Sequence, residues 1–161
     1  MAAVDYFLKL DPIKGESQDD KHKDEIQLES WSWGVTNAGT GEAGGGSGAG
    51  RSALQDVSFT AKMGKHSPKL FLACATGQLI DKGVLTCRKA GKDAQEYLKI
   101  TLNKVFVSSY QTGGSGGDIV PTDQFSLNFT EIEKSYAPQK DDNTLDSPIV
   151  HKYNAKTNKG S

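Results

Sequence analysis

Apolar residues spaced two apart, with polar residues between them, recur in short runs along most of this chain. Val4, Tyr6, Leu8 and Leu10 form one run, Leu98, Ile100 and Leu102 another, and Phe125, Leu127 and Phe129 a third. A strand sends successive side chains to opposite faces, so this spacing predicts strands. Several runs also carry apolar residues on the second parity. Phe7 does so in the first. Over residues 25–35, Trp31, Trp33 and Val35 oppose Ile26 and Leu28, and over 97–110, Val105 and Val107 oppose Ile100. One face cannot bury both sets, which predicts bulges or strands covered on both sides. Further strands are predicted at 53–63 and 84–90, with a turn at 91–93, and an edge strand at 149–153. The parity change between Phe129 and Ile132 predicts a bulge near Thr130.

One helix stands among these strands, at residues 68–76. Ser67 is placed to cap it, Pro68 fits its first turn, and Gly77 fits a left-handed terminus. Leu70, Phe71, Ala73 and Cys74 give it an apolar face. A single helix among many strands implies an antiparallel barrel or sandwich rather than alternating strands and helices.

The chain has 161 residues, a natural size for one domain, so residues 1–161 are expected to form a single unit. Glycine runs at 37–50 and 112–118 hold too little apolar area to order themselves and are expected to be loops, the first long and mobile. From residue 138 the chain is mostly polar. No apolar run approaches a membrane span, and the start has no signal-peptide character. Cys74 and Cys87 fit neither a disulfide framework nor a zinc ribbon, and are expected to be reduced and packed. Residues 1–50 carry four basic and nine acidic groups, 51–110 carry ten and four, and the rest carry five and seven. These nearly cancelling segments lack the coherent basic footprint of a nucleic-acid binder. They fit either solvated faces or patches that steer one copy onto the next.

Chemical motifs are sparse. Residues 39–44 match GxGxxG, and 45–52 approach a phosphate loop with Arg51 in place of lysine, but neither match is followed by a helical pattern. His22, His66 and His151 belong to no metal-ligand spacing, and no nucleophile elbow is present. Asn128 opens a formal glycosylation sequon within a strand pattern. No catalytic residue, metal site or cofactor is therefore expected. Trp31, Trp33, Phe59, Phe71, Phe106, Phe125 and Phe129 are expected in the core. A small β-sandwich that binds a ligand or carbohydrate is the alternative, and it requires an exposed aromatic platform.

Blocks of the sequence resemble, in order and spacing, the Hcp (haemolysin-coregulated protein) family, which forms the tube of bacterial type VI secretion. They are YFLKL at 6–10, IKGES at 13–17, His22 with Glu25 and Ile26, WSWG at 31–34, DVSFT at 56–60, SPKL at 67–70, RKAG at 88–91, VSS at 107–109, GGSGG at 113–117 and SLNF at 126–129. Ala61 departs from a lysine common after the threonine, and the tail 141–161 matches poorly. The resemblance implies a compact antiparallel β-barrel of two sheets with one flanking helix. It implies homohexameric rings that stack into tubes, with effectors in the lumen and the spike and sheath of the apparatus as further partners. It implies no nucleic acid, no membrane insertion and no fused effector enzyme. Such a protein is cytoplasmic when made and leaves through the apparatus without a signal peptide. By the same resemblance Ser32 faces the lumen. Gly39, Gly41, Glu42, Gly44, Gly46, Gly48 and Gly50 would belong to a loop that contacts the next ring.

Overall fold

A computed structural model describes residues 4–38, 52–90 and 94–161. The strands are β1 Val4–Lys9, β2 Ile26–Leu28, β3 Ser30–Ser32, β4 Val35–Asn37, β5 Ser52–Leu54 and β6 Val57–Lys62, followed by helix α1 His66–Thr76. Then come β7 Ile80–Lys89, β8 Glu96–Gly113, β9 Thr122–Asn128, β10 Glu131–Tyr136, β11 Ile149–Asn154 and β12 Lys159–Gly160. The mainly β reading with one helix holds, but the expected barrel does not. One hydrogen-bonded path runs β12-β11-β10-β8-β7-β1-β2 and is open at both ends. A second layer, β3-β6-β9, pairs with it through β8, and among the described strands neither layer closes on itself. The architecture is two open antiparallel layers sharing one long strand.

Parity changes in the sequence mark places where the chain changes layers. The run at 25–35 is three strands rather than one bulged strand. Ile26 and Leu28 lie against β1, opposite Leu8 and Tyr6. The amide of Glu29 then donates to the Thr60 carbonyl at 2.7 Å, and β3 continues beside β6. The run at 53–63 breaks at Gln55 and Asp56, which is why Leu54 is out of phase with Val57 and Phe59. The break at Phe129 and Thr130 likewise separates β9 from β10, so the bulge expected there is a passage between layers. β11 lies between β10 and β12 and is not the edge strand. Asn37, assigned to the glycine loop, instead pairs with Ser52 in a two-stranded ribbon. The turn at 91–93 and the seven stacking-loop residues lie outside the described residues.

The core fills the space between the layers with Leu8, Ile26, Val57, Phe59, Leu70, Leu85, Ile100, Phe125 and Leu127, each at most 2% exposed. α1 covers one flank. It begins two residues before the expected start, at His66, and Ser67 does not cap it. The Ser67 hydroxyl instead accepts from the Gly64 amide at 3.0 Å and bonds the buried Asp123 carboxylate. Gly77 ends the helix with φ 66°, the left-handed geometry glycine supports. Phe71 and Phe106, expected inside, are exposed. Phe71 lies on the outer side of α1, and Phe106 lies opposite Asn128, on the face of its sheet that points away from the core. Cys87 is buried, Cys74 half-buried, and both are free thiols; burial pushes the Cys87 thiol up to about 11.

Phe7 shows how a second parity is buried without a second sheet. The ring of His22 stacks on Phe7 with centroids 4.4 Å apart, and the Arg88 guanidinium lies 4.8 Å from the Phe7 centroid. Arg88 donates to both Asp19 oxygens, at 2.9 and 2.5 Å, and to Asp5 at 3.2 Å. His22 meets Glu25 at 3.0 Å through Nδ1 and Glu96 at 2.7 Å through Nε2. The polar segment before β2 is thereby fastened over β1 and β7. Hydrogen bonding from Arg88 holds the Asp19 carboxyl down to about 2, below its ordinary 3.8. A depressed carboxylate contributes stability above its unfolded value and loses it as pH falls through the folded one. The urea midpoint is therefore expected to fall between about pH 4 and pH 2, and Asp19→Asn to flatten that slope. An unchanged slope in the variant would assign the acid sensitivity to other groups.

Candidate interaction face

The four strands β3, β6, β9 and the second half of β8 turn one side to the core and the other outward. On the core side lie Trp31, Phe59, Phe125 and Tyr110, in register across the strands. Tyr110 donates its hydroxyl to Asp123 at 2.9 Å, and the Phe59 and Phe125 rings stack 5.2 Å apart. These contacts fix the strands, and thereby what the outward side presents.

The outward side carries two rungs of uncharged polar residues. Ser32 pairs with Ser58, Ser58 with Ser126, and Ser126 with Ser109. In the next rung Ser30 pairs with Thr60, Thr60 with Gln124, and Gln124 with Gln111. A register shift between Val107 and Ser109 lets both Ser108 and Ser109 reach the Ser126 hydroxyl, at 2.7 and 2.5 Å. Six of these residues, Ser58, Thr60, Ser109, Gln111, Gln124 and Ser126, line an open hollow of about 830 Å³. Eight successive positions without a charge form an unusual surface in a chain that is 24% charged. The rungs can donate and accept hydrogen bonds, and the one charged side chain lining the hollow is Asp56, which accepts from the Asn128 side-chain amide at 2.8 Å.

Of the residues singled out from sequence, Ser32 falls in these two rungs, and Phe106 and Asn128 pair on the same outward side next to the serine rung. Ser32 is exposed, while Trp31 and Trp33 are half-buried, as their opposite parity requires. Trp31 packs edge-on against Tyr6 at 6.4 Å. Trp33 donates its indole N–H to the Gln55 carbonyl at 2.8 Å. A carbohydrate-binding module would need aromatic rings exposed on one platform. The exposed rings Phe71, Phe106 and Tyr136 sit on different elements, and the rings behind the two rungs face the core. Among the described residues, no group of three or more His, Cys, Asp or Glu side chains is placed to hold a metal ion. Burial holds His66 below its ordinary value, and neither ring nitrogen has a hydrogen-bond partner.

The other seven residues of the two rungs were missed from sequence, although for Ser58 and Ser126 a signal was present. Ser32, Ser58 and Ser126 each stand between two large apolar residues, in WSW, VSF and FSL. Each therefore points opposite to a pair of core side chains.

Residues 7–136 match the family described as "Type VI secretion system effector, Hcp". Protein hcp1 of Pseudomonas aeruginosa is 45% identical over 158 residues, spanning 97% of this chain and 98% of that protein. This chain belongs to the Hcp family. The fold agrees with that of a solved type six secretion system protein, at TM-score 0.92 and 31% identity, covering 99% of this chain and 100% of that one. It also agrees with Hcp1 from Salmonella typhimurium, at TM-score 0.84 and 35% identity, covering 99% and 100%. As an Hcp protein the chain is a structural tube subunit of the type VI secretion apparatus, exported with it, and not an enzyme.

Proposed function

We propose that residues 1–161 act as one tube-forming unit. Six copies close into a ring, rings stack into a hollow tube, and the two uncharged rungs form the lumen wall against which effectors travel. The observation that carries this reading is the placement of Ser32 at one end of a four-strand rung of hydroxyl groups. A wall of this chemistry holds a folded passenger through many weak hydrogen bonds and water bridges. Residues 39–50 bridge successive rings, and spike and sheath proteins are the further partners. The chain is made in the cytoplasm and leaves through the apparatus.

Native mass spectrometry at micromolar protein is expected to give six times the chain mass; a persistent monomer or dimer would sink the ring. Ser32→Gln is expected to keep that mass and shift unfolding by no more than about half a kcal/mol, because the site is exposed. It should nevertheless reduce recovery of an effector co-expressed from the same secretion system, because the longer side chain intrudes on the wall. Loss of the ring in this variant would place Ser32 in a seam between copies.

A further inference from the structure

The tube reading leaves the contact between stacked rings without a side-chain description, and one apolar side chain stands out at one end of the protomer. Ile119 is 100% exposed and Val120 follows it at 38%, at the tip of the hairpin joining β8 to β9. The tip is braced. The Asp118 amide donates to the Ser115 carbonyl at 3.0 Å, and the Ser115 hydroxyl donates to the Asp118 carboxylate at 3.0 Å. The Met63 amide donates to the Pro121 carbonyl at 2.9 Å, anchoring the base of the tip at the Lys62 end of β6. Presenting an isoleucine on a fixed turn beside a carboxylate favours a partner with an apolar hollow and a basic rim.

A hollow of that kind lies at the other end of β6. It holds about 540 Å³, and Trp33, Ile132 and Tyr153 form its walls, with Lys134, His151 and Lys152 around them. Its walls are fixed: Trp33 is tied to Gln55, just before β6 begins, and the Ser52 hydroxyl donates to the Tyr153 hydroxyl at 3.1 Å. A dry apolar cavity of about 150 Å³ already accepts benzene, so this hollow has room for two aliphatic side chains. β6 has six residues, which at strand rise sets its ends about 17 Å apart. Knob and hollow thus lie toward opposite ends of one protomer, the arrangement a head-to-tail contact between copies requires.

We propose that Asp118, Ile119 and Val120 of one copy seat in the Trp33, Ile132 and Tyr153 hollow of a copy in the next ring. Ile119 and Val120 enter against the aromatic walls, and the Asp118 carboxylate meets Lys134, His151 and Lys152. This rests on the tube reading and adds to the 39–50 segment a second contact between rings, with a stated chemistry.

The test uses the full chain carrying Ile119→Cys and Lys152→Cys together, and each alone. Native mass spectrometry first establishes the ring; a wild-type chain without six copies brings down the tube reading itself, before any oxidation. Mild oxidation of concentrated rings is then expected to yield disulfide-linked species larger than one ring from the double variant and none from the singles. Adding Asp118→Lys should slow this linkage about tenfold, and a further Lys134→Glu should restore it. Rings that form but never link beyond one ring, or link at a rate indifferent to both charge changes, overturn the proposal and leave the ring standing.

Discussion

Arg88→Ala is expected to lower the unfolding free energy by about 3 kcal/mol, at the low end for breaking a buried ion pair. The side chain is 8% exposed and its guanidinium holds Asp19 twice and Asp5 once. Removing it leaves two carboxylates that are only partly hydrated, at 26% and 22% exposure, which is why the low end applies. Phe7 also loses the cation beside its ring. Arg88→Lys should recover less than half of the loss, because an ammonium cannot bond both Asp19 oxygens in the plane of a fork. Pairing Arg88→Ala with Asp19→Asn should recover part of it by removing a stranded charge. Urea unfolding of the wild type and the four variants, Asp19→Asn alone among them, checks this, and additive losses from Arg88→Ala and Asp19→Asn would show that the two side chains are not coupled.

The second large effect is expected one residue away from the candidate wall. Phe59→Ala should cost about 3–5 kcal/mol, the range for truncating a buried aromatic. Phe59 is 2% exposed and stacks on Phe125, and its strand supplies Ser58 and Thr60 to the two rungs. Ser58→Ala, on the opposite side of the same strand, should stay within about half a kcal/mol. Denaturant midpoints of the pair distinguish a strand with one structural side from one whose two sides both support the fold. Equal losses would mean that the hydroxyl rung is itself structural. If Phe59→Ala also weakens the ring, the wall depends on the core behind it for its shape.

Much of this was legible in the sequence, and the failures share a cause. The alternations of β9 and of the first half of β8 read directly, because each keeps one buried side. By contrast, β1 buries Phe7 and Leu8 on opposite sides, and β8 changes its buried parity past Lys104. The parity changes near Glu29, Gln55 and Thr130 were visible too, but a bulge and a passage between layers leave the same trace in a linear pattern. Only pairing distinguishes them, and the partners of β3 and β6 lie tens of residues away. The same limit hid the closure: periodicity fixes which residues face inward, whereas an open or closed sheet depends on which edges meet. His22 and Arg88 read as a charged loop residue and a strand residue. Their partners Glu96 and Asp19 lie 74 and 69 residues away, so no local pattern joined them. The serine rung needed four strands in register before its side chains became neighbours.

β8 carries a further consequence. Its first half hydrogen-bonds to β7 and β10, its second half to β9, and Lys104 takes φ 55° between them. A single backbone therefore belongs to both layers, and the β7, β10 and β9 ladders all depend on the path of that one strand. Amide protons buried in the two layers should exchange through one common opening event rather than two separate ones. A pull on one end of the subunit, as when a tube is driven forward, would then load both layers through the same peptide chain. The subunit would yield as a unit or not at all.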